Sequence, residues 1–294
     1  MLALGNFDGM HRGHLKIIER VRRCAEERGA DPVVMTFDPH PSRVLRPDKA
    51  PPLLMTKVQK LEALARAGIR GVAVVRFTHE LSQWDPETFA RTVLVEWLHV
   101  AEVWVGANFL FGRDRSGNFS TLRTLGARYG FKTEKIDPVR YKDFVVSSTR
   151  VRRLISEGRV DEAGALLGHH YYIDGSVIHG RHRGREVGFP TANLCSDNEL
   201  IPPHGVYATT ASLDTLVYPS ITNIGVRPTF SEDPQTVIET HLLKFDRELY
   251  GARVRLSFIQ RLRDEKRFES VDALRSQIEA DRTRARSLFD RMSL

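Results

Sequence analysis

The sequence predicts an α/β protein of two domains: a doubly wound parallel sheet, then an antiparallel β-barrel with a terminal helix. Three observations carry this reading. The chain has 294 residues, about two domains at roughly 100–200 residues each. Over the first half, β-branched runs alternate with amphipathic segments, as βα units on a parallel sheet do. Beyond about residue 165 come short apolar runs between Gly, Pro and Asn, the pattern of an antiparallel barrel or sandwich.

In chain order, Leu2 to Leu4 ends a strand and runs into a glycine-rich turn. Leu15, Ile18, Val21 and Ala25 then recur at helical spacing. Val33 to Phe37, bounded by Pro32 and Pro39, is a short buried strand, and Lys57 to Ala67 is a helix that Gly68 stops. Val72 to Phe77 and Val103 to Val105 are two more strands. In such a sheet the ligand lies at the carboxyl ends of the strands. Tyr172 to Ile178, Gly205 to Ser212, Tyr218 to Ile224, Val237 to Leu243 and Val254 to Phe258 are the barrel strands. Ser270 caps a last helix with a stripe of Val271, Leu274, Ile278, Leu288 and Phe289. The boundary falls between Ser156 and Gly168, giving domains of residues 1–160 and 165–294.

Composition excludes several classes. Charged residues are 28% and aromatics 9%, unlike a disordered chain. No apolar run approaches the roughly 18 residues of a membrane helix. The N-terminal MLALGNFDGMHRGH lacks the apolar stretch of a signal peptide. Cys24 and Cys195 are the two cysteines, too few for a thiol zinc site or a secreted disulfide scaffold. A cytoplasmic protein without membrane contact is expected. Residues 1–150 hold 24 Lys and Arg against 17 Asp and Glu, while residues 151–294 hold 20 of each. The first half therefore carries the whole excess of +7. Such a field suits nucleic acid, anionic lipid or phosphate-bearing small molecules. No run of five basic residues and no aromatic interleaving points to nucleic acid, and none is expected as partner.

Four motifs bear on chemistry. The first spans Gly5, Asp8, Gly9, His11 and His14: a strand ends, glycines let the backbone approach a ligand, and a helix begins. His11 and His14, three apart, face the same way on a helical turn. Two imidazoles there suit phosphate oxygens in a transition state. The alternative, a metal pair or two incidental surface histidines, is weakened by the strand and glycine turn ahead of them. The second is Ser147 to Arg152. Helix capping alone explains Ser148 and Thr149, and Arg152 one turn on adds a phosphate clamp. The third runs from Gly180 through Gly184 and Gly188 to Asn193, a glycine- and arginine-rich flap that is not a P-loop. Thr191 and Asn193, two apart, share a side if this is strand, which suits Mg²⁺ shared with phosphates. An Asn/Thr turn after Pro190 explains the stretch equally well. The fourth is Glu239 and His241 on one strand face, by themselves an ordinary solvent-facing pair.

In this order the motifs resemble the prokaryotic bifunctional riboflavin kinase/FAD synthetase (FMN adenylyltransferase) family over nearly the whole chain. GNFDGMHRGH, TFDPHP, VGANFLFG and SSTRVR resemble its nucleotidyltransferase-like adenylylating module. GREVGFPTANL, GVYA, NIGVRPTF, ETHLLKFD-x-x-LYG and LRDEKRF resemble its kinase module. The resemblance implies that His11, His14, Asn108, Ser148, Thr149 and Arg152 handle ATP and FMN in the first module, with Asn108 at the flavin. It implies that Thr191 and Asn193 hold Mg²⁺ and ATP, that Glu239 is the base, and that Arg263 lies near the flavin. Family members carry a further segment before the first strand, whereas four residues precede Gly5 here; a misassigned start, a truncated chain and a shortened edge strand are all open. The implied substrates and products are riboflavin, FMN, FAD and ATP; self-association is left open. Two alternatives remain at this stage: a nucleotidyltransferase for another phosphate ester, and a non-enzymatic flavin- or RNA-binding regulator. The first leaves the PTAN and ETH blocks unexplained, the second leaves two sets of catalytic residue types.

Overall fold

The computed structural model describes residues 1–179, 188–227, 235–245 and 247–292. The chain divides into two compact units, Met1–Ser148 and Thr149–Leu294.

The first unit is a parallel sheet of β1 (Leu2–Leu4), β2 (Val33–Phe37), β3 (Gly71–Val75), β4 (Glu102–Gly106) and β5 (Lys132–Ile136), ordered β3-β2-β1-β4-β5. β1 is central, with Leu2 opposite both Val33 and Val103. Both of its faces are covered, so every residue of Leu-Ala-Leu is apolar and buried. Alternation sorts the side chains between two cores. Ala3 and Val34 face one with Ile17, Ile18, Val21 and Leu64, from α1 (Arg12–Glu27) and α3 (Lys57–Arg66). Leu2, Leu4 and Met35 face the other with Val93, Leu94 and Leu122. Short helices α2 (Pro41–Leu45), α4 (His79–Ser82) and α5 (Pro86–Phe89) join the strands, and π-helical turns extend α5 over Ala90–Trp97. α6 (Phe119–Tyr129) and a hairpin of β6 (Arg140–Tyr141) and β7 (Phe144–Val145) follow. α3 starts on a capping box, Thr56 with Gln59, and ends where Gly68 takes φ +82°.

The doubly wound sheet is the one expected, but β5 escapes the sequence pattern. Its Lys-Thr-Glu-Lys-Ile exposes Lys132, Glu134 and Lys135. Charge on an edge strand guards against edge-to-edge pairing and erases the apolar alternation.

The second unit opens at the second residue of α7 (Ser148–Ser156) and continues into α8 (Val160–Leu167). Six strands then close a barrel: β8 (Tyr171–Ile178), β9 (Ala192–Ser196), β10 (Gly205–Leu213), β11 (Leu216–Arg227), β12 (Gln235–Leu242) and β13 (Arg253–Arg263). The open choice between barrel and sandwich thus resolves to a barrel, ordered β10-β11-β12-β9-β8-β13. The unit begins before the expected boundary at 160–165 because α8 packs on β8 and β13, burying Val160, Ala163, Leu166 and Leu167.

Inside the barrel, Tyr207 and Phe258 meet edge to face at 5.4 Å. Beside them four buried hydroxyls satisfy one another. Thr209 Oγ1 lies 2.8 Å from Ser220 Oγ and 2.7 Å from Thr222 Oγ1, and Thr222 lies 3.0 Å from Thr240. The terminal helix α9 (Val271–Met292) starts on the expected cap, with the Ala273 N–H donating to Ser270 Oγ at 3.2 Å. Its expected stripe needs one correction: Val271 is 59% exposed. The first turn stands in solvent, and the seat is Ala285 and Phe289 against Val206, Ala208, Ile221 and Ile259.

Candidate active sites

In an open sheet of this order the strand sequence reverses between β1 and β4, and ligands bind outside the carboxyl ends there. β1 ends into the Gly5–Met10 loop and β4 ends into the turn holding Asn108, which is exposed. The loop is held in unusual backbone. Phe7, Gly9 and Met10 all have positive φ (49°, 87° and 43°). For bulky residues that conformation is costly, and core burial holds it, with Phe7 at 0% and Met10 at 2% exposure. Gly9 has a second constraint: a Cβ there would lie 2.5 Å from Leu54 Cδ1. Buried Asp8 fastens the loop, its carboxylate accepting the Leu54 N–H at 3.0 and 3.1 Å. Its carbonyl accepts from Ser148 Oγ at 2.9 Å.

His11 caps α1, its Nδ1 accepting the His14 backbone N–H at 3.3 Å. Accepting at Nδ1 leaves the ring proton of the neutral imidazole on Nε2. The rings of His11 and His14 stack at 3.6 Å and 13°. Gly13 permits this, since a Cβ there would press on His11 Cε1 at 3.1 Å. Burial first, then His11 and Lys60, hold the His14 imidazole well below the ordinary histidine range. At neutral pH His14 is therefore a neutral hydrogen-bonding group and not a cation. His14 Nδ1 is shut off from solvent and has no hydrogen-bond partner among the described residues. Thr149 and Arg152 stand further along α7, in the second unit.

In the barrel, register places Asn193 of β9 opposite Glu239 of β12, and Glu239 opposite Asn223 of β11. Ile238, Thr240 and Leu242 are buried, so alternation puts Glu239 and His241 on the outer face with Asn193 and Asn223. β9 begins at Ala192, so Thr191 lies just outside it and is exposed. Asn193 is 7% exposed, and its Oδ1 has no partner among the described residues. His241 is occupied: its Nδ1 donates to the Pro190 carbonyl at 2.8 Å and Phe189 meets its ring edge-on. Gly188 takes φ +86° with open space around its Cα; Gly180 and Gly184 lie outside the described residues. Gly188 and Phe189 border an open groove of about 700 Å³ against Arg275, Glu279 and Arg282 of α9. Arg263 is committed to buried Asp281, its Nε at 3.0 Å from Oδ2 and its Nη2 at 2.9 Å.

Residues 1–150 match the FAD synthetase family and residues 167–289 match riboflavin kinase. The bifunctional riboflavin kinase/FMN adenylyltransferase of Bacillus subtilis is 37% identical, over 99% of this chain and 93% of its own. That of Escherichia coli K12 is 36% identical, over 98% and 92%. The chain belongs to the bifunctional riboflavin kinase/FMN adenylyltransferase family. A solved structure titled as a macrolide-efflux protein of Streptococcus pneumoniae shares 27% identity with a TM-score of 0.88, covering 97% of this chain and 93% of that one. No helix among the described residues is long and apolar enough to cross a membrane.

Seen as a riboflavin kinase/FMN adenylyltransferase, the chain has two groups of motif residues, one in each unit, while Thr149 and Arg152 fall in the second. Gly5, Asp8, Gly9, His11, His14 and Ser148 converge on one loop, and Asn193 and Glu239 share a register row. Three polar residues escaped the sequence reading. Thr36, the penultimate residue of β2, is buried, its hydroxyl donating to the Asn6 carbonyl at 3.1 Å. Lys60 stands beside it, and Asn223 flanks Glu239. Thr36 lies within the TFDPHP block, so its signal was present. Lys60 sits in an ordinary amphipathic helix and carries no such signal.

Proposed function

We propose that the chain carries out two group transfers from ATP, phosphoryl transfer to riboflavin giving FMN in the second unit and adenylyl transfer to FMN giving FAD in the first. The observation that supports this best is that one family match falls on each compact unit. Neither a nucleotidyltransferase for another phosphate ester nor a non-enzymatic regulator accounts for full-length likeness to bifunctional enzymes.

In the first unit a phosphate oxygen of FMN attacks the α-phosphorus of ATP and pyrophosphate leaves. The nucleophile is already anionic, so no base is needed and the protein's work is to stabilise charge. The Gly5–Gly9 loop brings backbone close to the phosphates, while His11 and His14 donate to the oxygens of the α-phosphate. Ser148 is tied to that loop, Thr149 and Arg152 keep an ATP role on the family pattern, and Asn108 orients the flavin.

In the second unit Glu239 takes the proton of the ribityl 5′-hydroxyl as that oxygen attacks the γ-phosphorus of ATP. The base contributes typically 10²–10⁴-fold, so positioning supplies much of the rest. Phosphoryl transfer from ATP calls for a metal ion. The buried, unpartnered Asn193 Oδ1 and the Thr191 hydroxyl are oxygen donors that fit Mg²⁺. When bound, the ion would neutralise phosphate charge. Gly188, with Gly180 and Gly184, would let the flap approach the phosphates, and Arg263 would border the flavin while braced by Asp281. The reading places the protein in the cytoplasm. The test is incubation with riboflavin, ATP and Mg²⁺ and separation of the flavins by chromatography. FMN should appear first and FAD after it; formation of neither would overturn the reading.

A further inference from the structure

α3 carries two lysines one turn apart, and they are used differently. Lys57 is exposed and its Nζ sits 2.8 Å from Asp38 Oδ2. Lys60 is half-buried, and its hydrogen bond to Thr36 Oγ1 is long, 3.5 Å. It makes no ion pair among the described residues. Burial pushes the Lys60 ammonium below the usual lysine range, opposed by Asp8 and then Asp38, yet each of these carboxylates is engaged. Asp8 receives the Leu54 N–H on both oxygens, and Asp38 has Lys57. Lys60 therefore presents a half-buried ammonium with no contact counterion among the described residues.

A shielded cation without a partner is unfavourable, and this one stands where an anion would come. Thr36 lies in β2 one residue past its pairing with β1, and its hydroxyl is bonded to the Asn6 carbonyl of the glycine loop. The field of Lys60 reaches the His14 imidazole and helps keep it neutral. The neutral His14 thus brings no charge of its own to a phosphate, and Lys60 has no ion-pair partner among the described residues, only its long bond to Thr36.

We infer that Lys60 binds a phosphate group of the reacting pair, completing the His11–His14 site as its cationic donor. This rests on the adenylyl-transfer reading. In that step a bond forms between an FMN phosphate oxygen and the α-phosphorus. The bond from that phosphorus to the bridging oxygen breaks, and pyrophosphate leaves with the electron pair. No proton moves, and Lys60 stays protonated throughout. The phosphate it holds belongs either to the ATP chain or to FMN, and the experiment separates these.

The test uses the full chain with Lys60→Met and Lys60→Arg. FAD formation from FMN and ATP is measured with kcat and both KM values, beside calorimetric binding of pyrophosphate with Mg²⁺. Lys60→Met should lower adenylylation by about 10²–10³-fold, the usual loss for one preorganised donor. Lys60→Arg should recover at least about tenfold of that, because charge and donors remain. Contact with the ATP chain weakens pyrophosphate binding tenfold or more; contact with FMN raises the KM for FMN instead. Riboflavin phosphorylation should be unchanged in both variants. If Lys60→Met lowers Tm, Lys60→Gln is read in its place. Near-normal FAD synthesis in Lys60→Met, or equal loss in Met and Arg with both binding measures unmoved, would overturn the assignment. A wild-type chain that makes FMN but no FAD would overturn the adenylyl-transfer reading itself, and Lys60 with it.

Discussion

His14 and Glu239 are polar groups whose surroundings differ sharply, and each makes its own prediction. The His14 imidazole is held neutral by burial, by His11 and by Lys60. Its folded pKa lies below the ordinary 6.5, so near and below that pH the unfolded chain binds the extra proton. Its contribution to stability is complete above about pH 6.5 and is lost as pH falls toward the folded value. Thermal unfolding from pH 8 to 5 should show Tm dropping on the acid side, with a shallower drop in His14→Gln; parallel curves would remove His14 as the cause. His14→Ala should cut FAD formation from supplied FMN by about 10²–10³-fold and leave riboflavin phosphorylation near wild type. Glu239→Gln should do the reverse. Glutamine keeps size and hydrogen bonding but cannot accept the proton at neutral pH, so kcat for FMN formation should fall roughly 10²–10⁴-fold without a matching rise in the ATP KM. Near-normal turnover would return Glu239 to the role of a solvated barrel residue. His241, with its Nδ1 on the Pro190 carbonyl, is better suited to holding the segment ahead of Thr191.

Elements place these groups through backbone that few sequences tolerate. The Gly5–Met10 loop reverses off β1 with three positive φ values, two of them at buried Phe7 and Met10. Gly9→Ala adds a Cβ at φ +87° and drives it to 2.5 Å from Leu54 Cδ1. It should destabilise the first unit by more than about 1 kcal/mol. Denaturant unfolding would show this, and FAD synthesis should fall because Asp8 and His11 flank the disturbed residue. An unchanged midpoint would mean the loop relaxes freely. The glycines and the histidine spacing were legible because turn chemistry and helical period are local. β5 and β9 were not. β5 hides its strand character under edge charge, and β9 follows Pro190 and Thr191, which local rules read equally well as a turn.

At the scale of the whole molecule, two compact units predict separable activities. A fragment of residues 149–294 keeps α7 and α8. One starting at 165 removes most of α8 and uncovers the surface that Val160 and Ala163 bury on the barrel strands. The longer fragment should phosphorylate riboflavin and unfold cooperatively; the shorter should have a lower Tm or be insoluble. Activity of the shorter piece equal to that of the longer would show that α8 is dispensable.

The sequence by itself determined the class of each domain, because a change from alternating strand and helix periods to short punctuated runs is a local property of the chain. It also determined the family, because nine short blocks in one order are far more specific than any block alone. Only the tertiary structure decided which groups meet. That His14 is neutral depends on burial, on His11 and on Lys60, the last carried by a helix that its own sequence marks as ordinary. That Asn193, Glu239 and Asn223 form one row depends on strand register, which pairing between distant segments sets. Charge state and juxtaposition are properties of neighbours, and neighbours from separate segments are chosen by folding.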